Sequence, residues 1–179
     1  MTIYLQSPDK TQISVFQNEN QIGAGFISWT KLTDTEIAVY LLKQAKDKKQ
    51  SDLQNFYKSQ ECWTYKIFTN NANPAVLKGT YASLTRDADF FARTIPAALG
   101  YIIVVFDDNN NPIEYALSET KGRTLNNLIN VINGRKLKGE QLSLELQINN
   151  AKTIAEVDKI DFKTALLNIV ERNINLDNL

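Results

Sequence analysis

The hydrophobic pattern opens as β-structure. Residues 2–7 and 12–17 alternate apolar and polar positions, as half-buried strands do. A third strand is predicted over residues 22–29, after the polar turn Asn18-Glu19-Asn20. Gly23 and Gly25 make a G-x-G fragment there, but a third glycine is missing and no helix follows. They read as small strand residues rather than as a phosphate loop.

The period then changes. Thr33-Asp34-Thr35-Glu36 is a capping box: the hydroxyl accepts from an early backbone N–H, and the carboxylate reaches back to the cap. Ile37, Tyr40, Leu41 and Ala45 follow at helical spacing. Lys43, Lys46, Lys48 and Lys49 crowd the predicted end of this helix, where cations complement its dipole. Ser51-Asp52-Leu53-Gln54 repeats the box and predicts a separate short helix to about residue 59.

Residues 63–68 read as a strand and 70–74 as a loop. A short strand is predicted over 80–84, then a helix capped by Thr85 and ended by Pro96 and Gly100. Residues 101–118 predict a hairpin of two strands around the turn Asp107-Asp108-Asn109-Asn110-Asn111. Residues 124–132 are the clearest helix, with Leu125, Leu128, Ile129 and Ile132 on one face and Asn133-Gly134 as its stop. Leu142, Leu144, Leu146 and Ile148 alternate with polar residues, which predicts a strand over 141–148 with one wet face. Thr153-Ile154-Ala155-Glu156 is another capping box. Asp161 starts the last predicted helix, with Phe162, Ala165, Leu166 and Ile169 inward. Residues 173–179 read as a frayed end or a docking tail.

These elements predict an α+β fold: an N-terminal antiparallel β-hairpin or meander, then a mixed sheet flanked by helices. No linker or repeat divides the chain, so one domain is expected over 1–179. Residues 1–30 would be a β appendage on an α/β core of 33–179.

Composition narrows the function. The 179 residues hold 20 Lys+Arg, 20 Asp+Glu and no histidine. Without histidine, Ser-His-Asp and Cys-His nucleophile systems and His-ligated metals are excluded. Cys62 is the only cysteine, so no intrachain disulfide forms, and a buried free thiol is expected. The N-terminus lacks a basic, apolar leader pattern and no apolar run approaches a bilayer span, so a soluble, cytoplasmic protein without a membrane partner is expected. The 19 Asn, and 15 Lys against 5 Arg, fit AT-rich coding, with phages and bacterial mobile elements as one such source. Charge is uneven: −2 over residues 1–42, +5 over 43–138 and −3 over 139–179. The middle is where an anionic partner would be sought.

One stretch suggests hydrolysis. Glu119-Thr120-Lys121-Gly122 directly follows the predicted strand 113–118. On a strand end, an acid and a lysine two apart face one side. The carboxylate can hold a divalent cation and the ammonium can steady a water or a phosphate. The stretch resembles the PD-(D/E)xK nuclease core of helix, three strands, helix and strand. The resemblance covers roughly residues 33–148, with 69–100 as an insertion. It implies Glu119 as a Mg²⁺ ligand and Lys121 as the catalytic cation. The family's first metal-binding Asp has no counterpart near Gly100 or Tyr101. Asp107 and Asp108 lie at the far end of the hairpin, so Glu61, Asp87 or Asp89 would have to substitute.

Aromatic and basic residues also interleave in the middle. Trp63, Tyr65 and Lys66, with Lys78 near Tyr81, suit a single-strand binder that stacks bases and meets phosphates. The same stretch also reads as one inward face of Trp63, Tyr65 and Ile67 with Lys66 outside, and this is the preferred reading. Lys121, Arg123, Arg135, Lys136 and Lys138 flank the predicted helix 124–132 as phosphate-binding candidates or a solvated rim.

The functional expectation is a non-catalytic binding or inhibitory protein acting through a protein–protein interface, of counter-defence or immunity type. It needs no cofactor. The alternatives are a Mg²⁺-dependent nuclease using Glu119 and Lys121, and a single-stranded nucleic-acid binder.

Overall fold

A computed structural model describes residues 2–69, 75–77, 101–107 and 109–179. The predicted loop 70–74, strand 80–84 and helix after Thr85 lie outside the described residues, as do Lys78, Asp87 and Asp89.

The fold is α+β. Three strands open it: β1 (Ile3–Gln6), β2 (Ile13–Phe16) and β3 (Thr30–Lys31), in the antiparallel order β2-β1-β3. The β1–β2 turn is set by Asp9, whose carboxylate accepts from Thr11 and Ser7. The strand predicted over 22–29 is not one. A 3₁₀ turn, Ala24–Phe26, occupies that stretch, and another, Glu19–Gln21, precedes it. Local bonds hold it, with Phe26 N–H donating to Gly23 O at 3.1 Å and Trp29 N–H to Phe26 O at 3.0 Å. Its glycines and its lack of alternation leave no inward face for a sheet to bury.

Helix α1 (Asp34–Lys58) is a single helix of 25 residues. Thr33 caps it with the full reciprocal box: Glu36 N–H donates to Thr33 Oγ1 at 3.3 Å, and Thr33 N–H to Glu36 Oε2 at 2.8 Å. Ser51 lies inside this helix rather than starting another. No glycine or proline interrupts residues 34–58, and a cap motif without a break does not stop propagation. The lysines are therefore central. Lys46 Nζ donates to Asn149 O at 2.7 Å and Lys49 Nζ to Asp158 O at 3.3 Å. They cap the carboxyl ends of neighbouring helices instead of their own.

After a 3₁₀ turn at Glu61–Trp63, a second sheet forms. Its strands are β4 (Tyr65–Phe68), β5 (Ala75–Leu77), β6 (Tyr101–Phe106), β7 (Pro112–Leu117) and β8 (Asn173–Asn175). The order is β7-β6-β5-β4-β8, with β8 parallel to β4 and the other pairs antiparallel. The predicted hairpin 101–118 is present, with Phe106 opposite Pro112. The chain end is thus an edge strand, not a frayed tail, with Ile174 and Leu176 buried.

Helix α2 (Glu119–Asn126) starts at Ser118, whose hydroxyl accepts from Lys121 N–H. It runs through a π-helical segment (Asn127–Asn133) into α3 (Gly134–Asn150). Asn133-Gly134 does not stop the helix, because Gly134 keeps helical angles. The predicted strand 141–148 is helix α3. Its alternation is two helical rows superposed. Leu137, Gln141, Leu144 and Ile148 are buried, while Leu142 and Leu146 point outward. Residues two apart project about 200° apart on a helix, so opposite rows imitate a strand's period.

Short helices α4 (Ile154–Asp158) and α5 (Phe162–Asn168) start at the expected caps, Thr153 and Asp161. Ile169 is exposed, and Val170 takes the expected inward place.

Two cores result. Leu53, Phe56, Tyr57, Cys62, Trp63, Leu137, Leu144, Ile148, Phe162, Leu166 and Val170 form the helical one. Tyr65, Ile67, Ile103, Val105, Leu117, Leu125, Ile129, Ile174 and Leu176 form the sheet-side one. Arg172 sits where they meet. Its guanidinium donates to Cys62 O at 2.7 Å, Thr64 O at 3.2 Å, Leu166 O at 2.9 Å and Leu167 O at 2.8 Å. It also lies 5.7 Å from the centre of the Tyr65 ring.

Candidate functional site

The residues suggested for hydrolysis do not converge. Glu119 and Lys121 stand in the first turn of α2, not on a strand end. Two apart on a helix, they project about 200° from each other. Glu119 Oε1 accepts from Arg123 Nη2 at 2.6 Å and Nε at 2.9 Å. Lys121 Nζ donates to Leu176 O at 2.6 Å, which ties α2 to the chain end. The helix start comes from Ser118, a cap the strand reading overlooked. The following strand that the nuclease order requires is absent from 141–148, where α3 runs.

Of the acids that could share a Mg²⁺ with Glu119, Asp87, Asp89 and Asp108 lie outside the described residues. Glu119 is held by a cation, and among the described residues no group of three or more acidic, Cys or His side chains could hold a metal ion. Asp107 spends its carboxylate on the turn: Asn111 N–H donates to Oδ1 at 2.7 Å and Asn111 Nδ2 to Oδ2 at 3.0 Å. Those bonds hold its pKa below the usual carboxylate value.

The stacking candidates are core residues. Trp63 is 1% exposed, and its Nε1 donates to Tyr57 O at 2.6 Å. Its ring meets Tyr57 edge-on with centroids 5.9 Å apart. Tyr65 is buried beside Asn133, whose Nδ2 is 3.5 Å from the phenol oxygen. Burial pushes the Tyr65 pKa up. Neither ring can receive a base in the folded chain. The inward-face reading holds, with Ile67 buried and Lys66 exposed.

Several basic candidates are engaged within the fold. Arg123 pairs with Glu119. Lys138 Nζ donates to Gln141 Oε1 at 2.7 Å and lies 5.8 Å from the centre of the Tyr57 ring. Arg135 and Lys136 are exposed on the first turn of α3. Cys62 is buried, and loss of solvent pushes its thiol up to about 11. It is an inert core thiol.

A surface the sequence reading passed over lies in residues 22–29. This stretch, Ile-Gly-Ala-Gly-Phe-Ile-Ser-Trp, carries no charge. Its backbone follows the local 3₁₀ bonds and adds no strand to a sheet. Ile27 is 85% exposed at its crest. Behind it, Phe26 meets Phe16 edge-on at 4.9 Å and Trp29 at 4.8 Å between centroids. All three rings are half-buried. The rings brace each other, so the exposed side chains sit on a stiff support. An uncharged apolar crest over aromatic rings is the composition of a protein-interface anchor. The signal in the sequence was eight residues without charge or alternation, beside two glycines.

Among the described residues, no helix is long and apolar enough to cross a membrane. No family model, curated protein or solved structure matches the chain.

Proposed function

We propose that the chain is a non-catalytic binding protein that acts through a protein–protein interface, with residues 22–29 as its anchor. The carrying observation is Ile27, 85% exposed on an uncharged stretch backed by Phe16, Phe26 and Trp29. Ile27 does not stand alone: part-exposed Phe16, Phe26 and Trp29 adjoin one another beside it, and a contiguous apolar patch marks an interaction surface. The rings supply contact area with little side-chain entropy left to lose. The partner's matching feature is an apolar pocket that takes Ile27, rimmed by groups that tolerate neighbouring backbone amides. Side chains suited to hydrolysis, Glu119 and Lys121, support the same reading by being spent on structural contacts.

A photo-crosslinking residue at position 27, in cells of the source organism, should capture a discrete protein. Titration calorimetry with that purified protein then compares the wild-type chain with Ile27→Asp and Trp29→Ala. Anchor losses of about 2–4 kcal/mol correspond to roughly 30- to 1,000-fold weaker binding. Equal affinity of all three chains would overturn the assignment. So would capture of nucleic acid in place of protein.

A further inference from the structure

Helix α3 presents a second apolar surface, made of different residues. Leu142 is 50% and Leu146 61% exposed. Along the same helix face lie Arg135 and Gly139, spaced as i, i+4, i+7 and i+11. The buried row 137, 141, 144 and 148 is on the opposite side. At Gly139 an added Cβ would meet nothing within 4 Å. The face therefore carries one notch and two protruding leucines. Leu142 stands midway along Gly134–Asn150.

The two ends of the face differ in charge. Arg135 and Lys136 are exposed at the amino end. At the carboxyl end, Leu146 opens onto a cleft lined by Asn150, Glu156 and Ile160. Glu156 brings a carboxylate there, its Oε2 accepting from Lys152 N–H at 2.6 Å, while the Asn149 carbonyl in the last turn is already taken by Lys46 Nζ.

We propose that this face binds a second copy of the chain, α3 against α3, antiparallel about a two-fold axis near Leu142. This pairing seats Leu146 of each copy over Gly139 of the other, a knob over a notch, with the two Leu142 side chains meeting at the axis. It also brings Arg135 and Lys136 of each copy to Asn150 and Glu156 of the other. A parallel pairing would set Arg135 and Lys136 against their own copies and leave Gly139 opposite Gly139. The self-complementary pattern, apolar centre with opposite charge at opposite ends, is what an isologous interface requires. One helix pair is a small interface, so the dimer is in exchange with the monomer.

Sedimentation velocity across a micromolar concentration series tests the association. The mass should rise from 20.3 kDa toward twice that value, and Leu146→Glu should hold it at the monomer. Ile27→Asp should leave the series unchanged, so a failure of the anchor proposed at 22–29 is read separately. Disulfide trapping tests the direction, with buried Cys62 staying reduced. Leu142→Cys should cross-link under mild oxidation, because the two sulfurs face each other at the axis. Leu146→Cys alone should not, since its copies lie roughly 10 Å apart along the helices at 1.5 Å per residue. Mixing Leu146→Cys with Gly139→Cys chains should restore the cross-link. All sites are exposed, and a circular-dichroism melt confirms that each variant folds. A monomer at every concentration overturns the proposal. So does a dimer that survives Leu146→Glu, or equal trapping at 142 and 146.

Discussion

Two aromatic clusters in this molecule each contain a tryptophan in edge-on contact but differ in their surroundings. Tyr57 and Trp63 meet edge-on at 5.9 Å inside the helical core, with the indole N–H bonded to a backbone carbonyl. Phe16, Phe26 and Trp29 meet edge-on at 4.9 and 4.8 Å around a surface stretch. The first cluster is enclosed by α1, α3 and α5 and holds them together. The second is covered on one side only. Edge-to-face geometry therefore says nothing about role, and burial decides it. The inward face read for Trp63, Tyr65 and Ile67 matches the first cluster, whereas Trp29, read as a strand end, lies in the second.

The largest expected effect separates them by stability. Trp63→Ala should cost about 3–5 kcal/mol in a urea titration, the range for emptying a large buried aromatic site. Trp29→Ala removes a half-covered ring and should cost about 1 kcal/mol, near the average for single substitutions. Comparable losses at both positions would break the distinction between scaffold and surface. Single-tryptophan variants give a second check, with Trp63 emission blue-shifted relative to Trp29 until the core unfolds.

Arg172 sharpens the comparison next, because the scaffold cluster depends on it and the surface cluster does not. Its guanidinium meets carbonyls of Cys62, Thr64, Leu166 and Leu167. Charged hydrogen bonds contribute more than neutral ones, so Arg172→Ala should cost about 2–3 kcal/mol. Arg172→Lys should recover only a part, since one ammonium cannot fork to four carbonyls on two segments. Full rescue by lysine would mean that charge alone matters there. Cys62 reports the same event, because the chain should resist thiol reagents while folded and react on unfolding.

What could be read from the sequence follows from how local each signal is. Caps at Thr33, Thr153 and Asp161 were legible, because a hydroxyl or carboxylate three residues before its donor is a local fact. The hairpin 101–118 was legible from two runs around an Asn-rich turn. Residues 141–148 were not, because Leu142 and Leu146 form a second apolar row that only a tertiary view separates from the first. Residues 118–122 failed for a similar reason. Ser118 reads equally as a strand end or a cap, and the choice moves Lys121 to the other side of the backbone from Glu119. Arg172 was not legible, because although Leu166 and Leu167 lie in the helix just before it, its other two acceptors, Cys62 and Thr64, are 110 and 108 residues away in the chain.

A smaller effect comes with acid. The Thr33 N–H donates to Glu36 and holds its carboxyl below the usual value. Thr164 does the same for Asp161. A depressed carboxyl contributes stability above its unfolded pKa, near 4, and loses it as pH falls through the folded value. Thermal stability should therefore be level above about pH 5 and decline below about pH 4. Thr33→Ala should lower stability by about 1 kcal/mol at neutral pH, as lost caps do, and give a shallower acid decline. These caps start α1 and α5, whose residues Phe56 and Phe162 line the helical core. Acid should accordingly shift Trp63 emission, and it should act on the surface cluster as well, because Asp9, which sets the turn into the strand carrying Phe16, also has its carboxyl held below the usual value by Ser7 and Thr11. A shift of Trp63 emission alone would show that the Asp9 turn does not hold the surface cluster.

The smallest effect probes how much room the scaffold cluster leaves. Gly134 has helical angles at the junction of the π segment and α3. A Cβ there would lie 3.8 Å from Ile129 O and 3.9 Å from Trp63 Cη2, which is ordinary contact. Gly134→Ala should thus gain helix propensity, up to about 1 kcal/mol, without displacing the indole. The urea midpoint should rise with an unchanged slope. A loss instead would mean that the Trp63 ring needs the space beyond Gly134, and that the π segment owes its wide turn to the tryptophan beneath it. In the surface cluster no comparable dependence exists: a Cβ at Gly25 would meet nothing within 4 Å. Gly25→Ala should leave the midpoint nearly unchanged, and the contrast between the two glycine substitutions measures how tightly each cluster is enclosed.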